Sequence, residues 1–408
     1  MAPNDALVQP KEYDIKDSNV ELIGSDLDHQ VKYNSAATEP AWNDGKVGKK
    51  PGVLVWRIED FTVVPQPAHQ NGEFFEGDSY IVLHSWSVKS DNSSEDEEEA
   101  KLGHEIFFWL GSKTTQDEAG TAAYKTVELD EFLGGAATQR RELQQAPSDD
   151  FLALFPRLTV RAGGVASGFR HVEAGETSAE REKEGIKTLL RVFRPAGQGA
   201  VVVFEVEPTW ESLDEGDVFI LDAGNKIWVW QGGKCSPMEK AKAAQVVHDM
   251  TQAKHVDVEV LSQTESRSWL VVKMLGAADD MERPTLSRAR PVIASSRRQP
   301  EHKRPRRLFR LSDASGELTF QPVKEGSAIS PKDLDGDDVF ILDDEGKNIW
   351  VWVGSGASKV ERAQWLKVAQ SYVRRVQANA EDDEAYLTPI AKVRQGHETN
   401  SFRKAIAV

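Results

Sequence analysis

A short motif recurs three times along the chain. Residues 215–233 read EGDVFILDAGNKIWVWQGG, and residues 335–356 read DGDDVFILDDEGKNIWVWVGSG. A looser copy, EGDSYIVLHSW, begins at Glu76 and is followed by EIFFWLGS at Glu105, after an acidic insertion. In each copy an Asp precedes an apolar run, and an aromatic run and a glycine come next, which is typical of a buried β-hairpin. Copies roughly 120–140 residues apart indicate repeated domains rather than a solenoid.

A helical pattern follows each hairpin, as in SPMEKAKAAQVVHDMTQ and SKVERAQWLKVAQSYVRR. A sheet with a helix across it is an α+β unit, so the 408 residues are predicted to form three α+β domains. The predicted boundaries are an N-terminal extension and linker at 1–50, domain one at 51–173, a linker at 174–184, domain two at 185–276, a basic flexible linker at 277–305 and domain three at 306–408.

Charge and composition exclude several classes of protein. A net charge of -16 argues against broad nucleic-acid binding, which needs a basic surface. With one cysteine, Cys235, no internal disulfide is possible. The N-terminus lacks the pattern of a signal peptide and no apolar run approaches a membrane span of roughly 18–20 residues, so a cytoplasmic location is expected. Phosphate-binding, nucleophile and zinc motifs are missing from the sequence, which predicts a protein that is not an enzyme.

An acid at the start of each predicted hairpin recurs together with an acid in the first turn of the following helix. Such a pair is either a solvated strand end with a helix-dipole acid or a set of hard oxygen ligands suited to Ca²⁺. Three copies of the pair favour the metal site. The pairs are Asp78 with Glu118, Asp217 with Glu239, and Asp338 with Glu361.

The helix predicted at residues 116–133 has a second apolar patch besides its core face. Tyr124 and Val127 lie off the face that should meet the sheet, beside Glu131. Wheel geometry leaves two interpretations open, a partner surface flanked by acids or a wide core stripe. The predicted core face comprises Ala119, Ala122, Ala123, Thr126, Leu129 and Leu133.

The stretch from Arg283 to Arg307 is the one strongly basic part of the sequence. It could bind anionic lipid head groups or nucleic acid. Its Pro-, Ser- and Arg-rich composition favours a solvated linker.

Several long motifs resemble the first domain of the gelsolin/villin superfamily. They are WRIEDFTVVPQP, GEFFEGDSYIVLH, FFWLGSKTTQDEAGTAAYKTVELDEFLGG and GGVASGFRHV. The leader KDSNVELIGSDLDHQVK and the three-domain length resemble the severin/fragmin branch. The resemblance implies three gelsolin-like domains, each a central mixed β-sheet with a long helix on one face and a shorter helix on the other.

The resemblance also implies Ca²⁺ ligands. In domain one these would be the Gly77 carbonyl, Asp78, Glu118 and the Val165 carbonyl; in domain two, Gly216, Asp217, Glu239 and either Asp279 or Asp280; in domain three, the Asp337 carbonyl, Asp338 and Glu361. Asp337 stands where the family has Gly, but only its carbonyl is required. A second kind of site, shared with actin, would use Asp130 and the carbonyls of Gly135 and Ala137.

The family resemblance implies a calcium-regulated protein that severs actin filaments and caps their barbed ends, as a monomer until it meets actin. The first-domain helix would enter the actin cleft through Gln116, Tyr124, Val127 and Glu131, and domain two would bind the filament side. Residues for phosphoinositide binding would be Arg157, Arg161, Lys187, Arg191 and Arg194. The alternatives are a capper or monomer binder without severing, and a phosphoinositide-binding membrane adaptor that uses the basic linker.

Overall fold

The computed structural model describes residues 36–88, 102–135, 137–164, 188–195, 199–278, 286, 304–326, 329–378 and 388–406. Three units follow one another along these ranges. Each has a mixed sheet with a long helix on one face and a shorter helix on the other, which confirms the predicted α+β class.

The first unit is built around three long antiparallel strands. Alternate residues of these strands face opposite sides of the sheet. Ile81, Leu83 and Phe108 pack under the long helix, whereas Tyr80 and Trp109 pack against the short one. Its elements are β1 (Gly52–Glu59), β2 (Thr62–Pro65), β3 (Glu73–Phe75), β4 (Ser79–Ser87), β5 (Leu102–Leu110), α1 (Gln116–Phe132), β6 (Thr138–Leu143), α2 (Asp149–Leu152) and β7 (Thr159–Arg161).

The second unit repeats this plan. Ala243 and Val247 of its long helix cover one face of the sheet, and Val271 and Val272 of its short helix cover the other. Its elements are β8 (Thr188–Phe193), β9 (Val202–Val206), β10 (Val218–Asp222), β11 (Lys226–Gln231), α3 (Pro237–Lys254), β12 (Asp257–Ser262) and α4 (Trp269–Met274).

The third unit follows the same plan again. Ala369 and Val373 of the long helix face one core, and Phe402 and Ala405 of the short helix face the other. Its elements are β13 (Arg307–Ser312), β14 (Thr319–Glu325), β15 (Val339–Asp343), β16 (Ile349–Val353), α5 (Lys359–Ala378), β17 (Ile390–Arg394) and α6 (Asn400–Ile406).

The recurring Asp and glycine form the base of the hairpin in all three units. The amide of the glycine donates to the carbonyl of the Asp at 3.0 Å, and the pairs are Gly111 with Asp78, Gly232 with Asp217, and Gly354 with Asp338. A Cβ on any of these glycines would collide with the backbone carbonyl at the base of the same hairpin. The glycine is therefore required by the close approach of the two chain segments.

Strand pairing joins the units to one another. Strand β17 of the third unit pairs antiparallel with β6 of the first, which makes one ten-stranded sheet. Strand β7 of the first unit pairs parallel with β9 of the second, within a seven-stranded sheet. The three units are therefore joined through two shared sheets.

Residues predicted to lie in linkers also pack into the units. Trp42 is fully buried in the core of the first unit, together with Ala41 and Val47. Leu286 packs into the core of the second unit, and Arg304 is buried beside Asp343 of the third, with Nε 3.1 Å from Oδ2. The structure thus differs from the linkers predicted at 1–50 and 277–305, because isolated apolar or paired side chains anchor parts of both segments.

Candidate functional site

The acid pair of the first unit is buried and close together. Asp78 has no exposed surface at the start of β4, and Glu118 is buried in the first turn of α1, where Thr115 caps the helix. Burial raises the pKa of Glu118, and the negative charge of Asp78 raises it further. The structure thus brings together the two side chains that sequence reasoning paired.

The surroundings of this pair fit a hard cation. Within the described residues, Glu118 Oε1 is buried without a hydrogen-bond partner, while Oε2 accepts from Thr114 Oγ1 at 3.2 Å. The Gly163–Gly164 segment runs alongside, because the Gly77 amide donates to the Gly163 carbonyl at 2.8 Å. A Cβ at Gly164 would collide with Asp78 Oδ1. The predicted ligand Val165 lies outside the described residues.

In the second and third units the helix acids have a structural role as well. Glu239 accepts backbone amides of Arg194 at 2.9 Å and of Ser236 at 2.7 Å. Glu361 accepts those of Asp313 at 2.8 Å and Ser358 at 2.9 Å. A carboxylate has about four acceptor positions, so these bonds leave capacity for a cation. Both acids are buried, as are the repeated Asp residues at their hairpins, Asp217 and Asp338. Burial raises the pKa of Glu361, and the charge of Asp338 raises it further. Asp279 and Asp280 lie outside the described residues.

An arginine pairs with the repeated Asp in every unit, which sequence reasoning missed. Arg57 Nη2 lies 2.5 Å from Asp78 Oδ2, and Arg191 Nε lies 2.7 Å from Asp217 Oδ2. Arg310 forms the same ion pair with Asp338. The signal was present in the first strand of each unit, as WRI, LRV and FRL.

The second kind of Ca²⁺ site predicted from the sequence lies at the end of α1, where side chains of the third unit contact it. Asp130 Oδ1 accepts from the Ala137 amide at 2.9 Å, and Oδ2 accepts from Lys392 Nζ at 3.2 Å. The Gly135 carbonyl accepts from Arg394 Nη1 at 3.1 Å. Two of the three expected ligands therefore hold cationic groups of the same chain.

The predicted partner face of α1 is accessible. Tyr124 is 45% exposed, and Val127 and Glu131 are half-buried. Ala122, Thr126 and Leu129 are buried as predicted, so the helix does not need Tyr124 for its core. Gln116 begins the helix.

The arginines assigned to phosphoinositide binding are engaged elsewhere. Arg157 pairs with Asp249 at 2.5 Å, Arg161 with Glu205 at 2.9 Å, and Arg191 is buried against Asp217. Arg194 is exposed, and Lys187 lies outside the described residues. The internal ion pairs of the first three make this set a poor anion site.

The described residues contain no group of three or more His, Cys, Asp or Glu side chains placed to hold a metal. No helix in the described ranges is long and apolar enough to cross a membrane.

Comparison with known proteins gives matches along nearly the whole chain. The gelsolin repeat matches residues 60–152, 199–267 and 321–403. Gelsolin-like protein 1 of Lumbricus terrestris is 37% identical over 407 residues, which cover 98% of this chain and 99% of that protein. Severin of Echinococcus granulosus is 36% identical over 380 residues, covering 90% and 92%. Gelsolin of Gallus gallus is 35% identical over 337 residues, 81% of this chain and 40% of that protein.

These matches agree with the three copies of the hairpin and with the α+β plan of each unit. The repeats are binding modules without a catalytic centre, which confirms the prediction that the protein is not an enzyme. The chain belongs to the gelsolin/villin superfamily, with the three-repeat organisation of a severin-like protein.

Proposed function

We propose that this chain is a calcium-regulated actin-binding protein that severs filaments and caps their barbed ends. The observation that carries the proposal is the exposed Tyr124 on a helix whose core face is complete without it. Aromatic side chains beside apolar ones are common anchors of protein interfaces. The similarity to severin and gelsolin supports actin as the partner.

The three-unit chain suits a division of labour between the units. Capping requires one unit to occupy an exposed filament end, whereas severing requires that unit to reach a cleft inside the filament. A second unit that holds the filament side raises the local concentration of the first at the cleft. On this proposal α1 enters the cleft of actin in the cytoplasmic cytoskeleton, and the protein is a monomer until it binds actin.

Calcium would act through the acid pairs. When bound, Ca²⁺ supplies a divalent charge that draws together two carboxylates and main-chain carbonyls. Asp78 with Glu118, Asp217 with Glu239, and Asp338 with Glu361 would hold it. In the second kind of site, cation binding at Asp130 would compete with Lys392.

Filament length, followed by fluorescence microscopy with and without Ca²⁺, tests the proposal. We expect filaments to break along their length within minutes of adding Ca²⁺ and protein, and the new barbed ends to stop growing. Filaments that stop growing without breaking would identify a capper that does not sever. Filaments that neither break nor stop growing when the protein is added would contradict actin binding altogether.

The alternative as a phosphoinositide-binding adaptor rests on the basic stretch that ends at Arg307. Arg304, Arg306 and Arg307 in its last part already pair with Asp343, Asp344 and Glu325, which argues against this alternative. Co-sedimentation with phosphoinositide vesicles, compared with vesicles of neutral lipid, distinguishes the adaptor from an actin regulator.

A further inference from the structure

The arginine that pairs with the repeated Asp occupies one structural position in all three units. In the antiparallel pairing of the first strand with the hairpin strand, each arginine lies opposite the residue two places after the Asp. The pairs are Arg57 opposite Tyr80, Arg191 opposite Phe219, and Arg310 opposite Phe340. The recurrence ties the arginine to the carboxylate pair rather than to local packing of one unit.

The arginine binds one side of the carboxylate in the first two units. Arg57 and Arg191 both contact Oδ2 of their Asp. In the first unit, Oδ1 of Asp78 lies against Gly164, next to the segment expected to supply a carbonyl ligand. The guanidinium thus stands beside the carboxylate while the other oxygen faces the candidate cation position.

Electrostatics gives the guanidinium two opposite effects. Two carboxylates at a buried position repel each other, and a neighbouring positive charge relieves that repulsion in the cation-free protein. The same positive charge repels an incoming divalent cation, because the charge of the site falls from two negative units to one. Asp217 is fully buried and Arg191 is 8% exposed, so solvent screens this pair weakly.

We infer that Arg57, Arg191 and Arg310 are internal counter-ions that set the calcium affinity of the three acid pairs, raising the Ca²⁺ concentration that each site needs. The inference rests on the proposed calcium sites. It adds the three arginines as the residues that determine the Ca²⁺ concentration at which each site fills. An arginine that only packed beside the Asp would leave calcium affinity unchanged when replaced.

Calcium titration of the full chain by isothermal calorimetry tests the inference. The Arg191→Met variant keeps the apolar stem and loses the charge, and we expect one site per chain to bind Ca²⁺ at least about tenfold more tightly. Its melting temperature without Ca²⁺ should fall. Arg191→Lys, which keeps the charge, should bind nearly as the wild type does.

A matched control uses a buried arginine away from the acid pairs. Arg304→Met removes the partner of the buried Asp343 and should lower stability without changing Ca²⁺ affinity. If Arg191→Met fails to fold, Arg310→Met replaces it, because Arg310 is 43% exposed.

The outcomes separate two failures. A wild-type chain that binds no Ca²⁺ would overturn both calcium regulation and the inference. A wild-type chain that binds Ca²⁺, with folded Met variants of equal or weaker affinity, would overturn the counter-ion role alone.

Discussion

Glu142, in β6, carries a carboxyl with no exposed surface. Burial raises its pKa to about 7, against the opposing effect of hydrogen bonds from Ser148 and of the charge of Arg140. The folded protein therefore keeps a proton that the unfolded chain releases near its ordinary pKa of 4.5. The stability that this proton confers is complete below pH 4.5 and is lost as the pH rises through 7.

Glu142→Gln cannot lose a proton at this position. The free energy of unfolding of the wild type, relative to this variant, should fall by about 3 kcal/mol between pH 4.5 and pH 8, at 1.36 kcal/mol per pKa unit. Urea unfolding of both proteins at a series of pH values measures this difference in unfolding free energy. The contributions of all other titrating groups cancel, because the two proteins share them. Parallel pH profiles for the two proteins would show that Glu142 is ionised when folded.

Tyr124 and Val127 are predicted to be dispensable for folding and necessary for binding actin. The Tyr124→Ala, Val127→Ser double variant should lose about 2 kcal/mol of actin affinity, roughly thirtyfold, since a central aromatic anchor is removed. Its melting temperature, with and without Ca²⁺, should stay close to that of the wild type. Affinity for barbed ends is measured by filament elongation.

Leu129→Ala is the control for this double variant. Leu129 is fully buried in the same helix, and its truncation should lower stability by ~2–5 kcal/mol. A Tyr124/Val127 variant that unfolds like Leu129→Ala, and caps normally while folded, would place both residues in the core.

At the scale of elements, the segment before β1 is held to helix α1 by buried polar contacts. Trp42 Nε1 donates to Glu128 Oε1 at 2.9 Å, and both side chains have no exposed surface. Lys125 bonds to the same carboxylate at 3.1 Å and to Glu39 at 2.6 Å. The segment therefore covers the part of α1 that carries Lys125 and Glu128.

Trp42→Phe should lower stability by about 2 kcal/mol, because the buried Glu128 carboxylate loses a donor. A double-mutant cycle with Glu128→Met, which removes the acceptor, isolates the pair and should give a coupling of at least about 1 kcal/mol by thermal or urea unfolding. Additive effects of the two changes would mean that the loss comes from ring packing alone.

Elements with a clear period were predictable from the sequence, and contacts between distant segments were not. The hairpins and the core face of α1 follow from alternation and from 3.6-residue spacing. Trp42 was assigned to a linker because one aromatic residue in a polar segment has no period. The arginine that pairs with the repeated Asp recurs visibly in WRI, LRV and FRL. Its partner could not be predicted, because Arg191 and Asp217 lie on separate strands and a local sequence pattern does not indicate which side chains meet across a sheet.

At the scale of the molecule, strand β17 holds the first and third units together. It pairs with β6 through Ile390, Ala391 and Lys392. On one side of the junction the buried Arg140 lies between Glu105 and the ring of Trp350, 4.9 Å from the ring centre. On the other side Lys392 and Arg394 reach the end of α1.

We call the arrangement in which β17 pairs with β6 the closed arrangement. In it, the oxygens that would bind Ca²⁺ at the proposed second site already accept hydrogen bonds from the third unit. Asp130 and the Gly135 carbonyl contact Lys392 and Arg394 when the units are joined. A cation bound there would meet two positive side chains. Ca²⁺ binding at this position and the closed arrangement should therefore oppose each other, as two states with different affinities for one ligand.

The Lys392→Met, Arg394→Met double variant tests this opposition. Two charge-assisted hydrogen bonds are removed while the backbone pairing of β17 is kept, so the closed arrangement should lose on the order of 2 kcal/mol. The Ca²⁺ concentration at which the first and third units separate should fall at least about tenfold, because 1.4 kcal/mol corresponds to a factor of ten. Energy transfer between dyes placed on the two units reports the separation without actin.

Lys347→Met is the control, since Lys347 pairs with Glu345 within the third unit, 3.0 Å away. Separation of the double variant and the wild type at the same Ca²⁺ concentration would show that Lys392 and Arg394 do not oppose calcium, and that the pairing of β17 with β6 alone holds the units together.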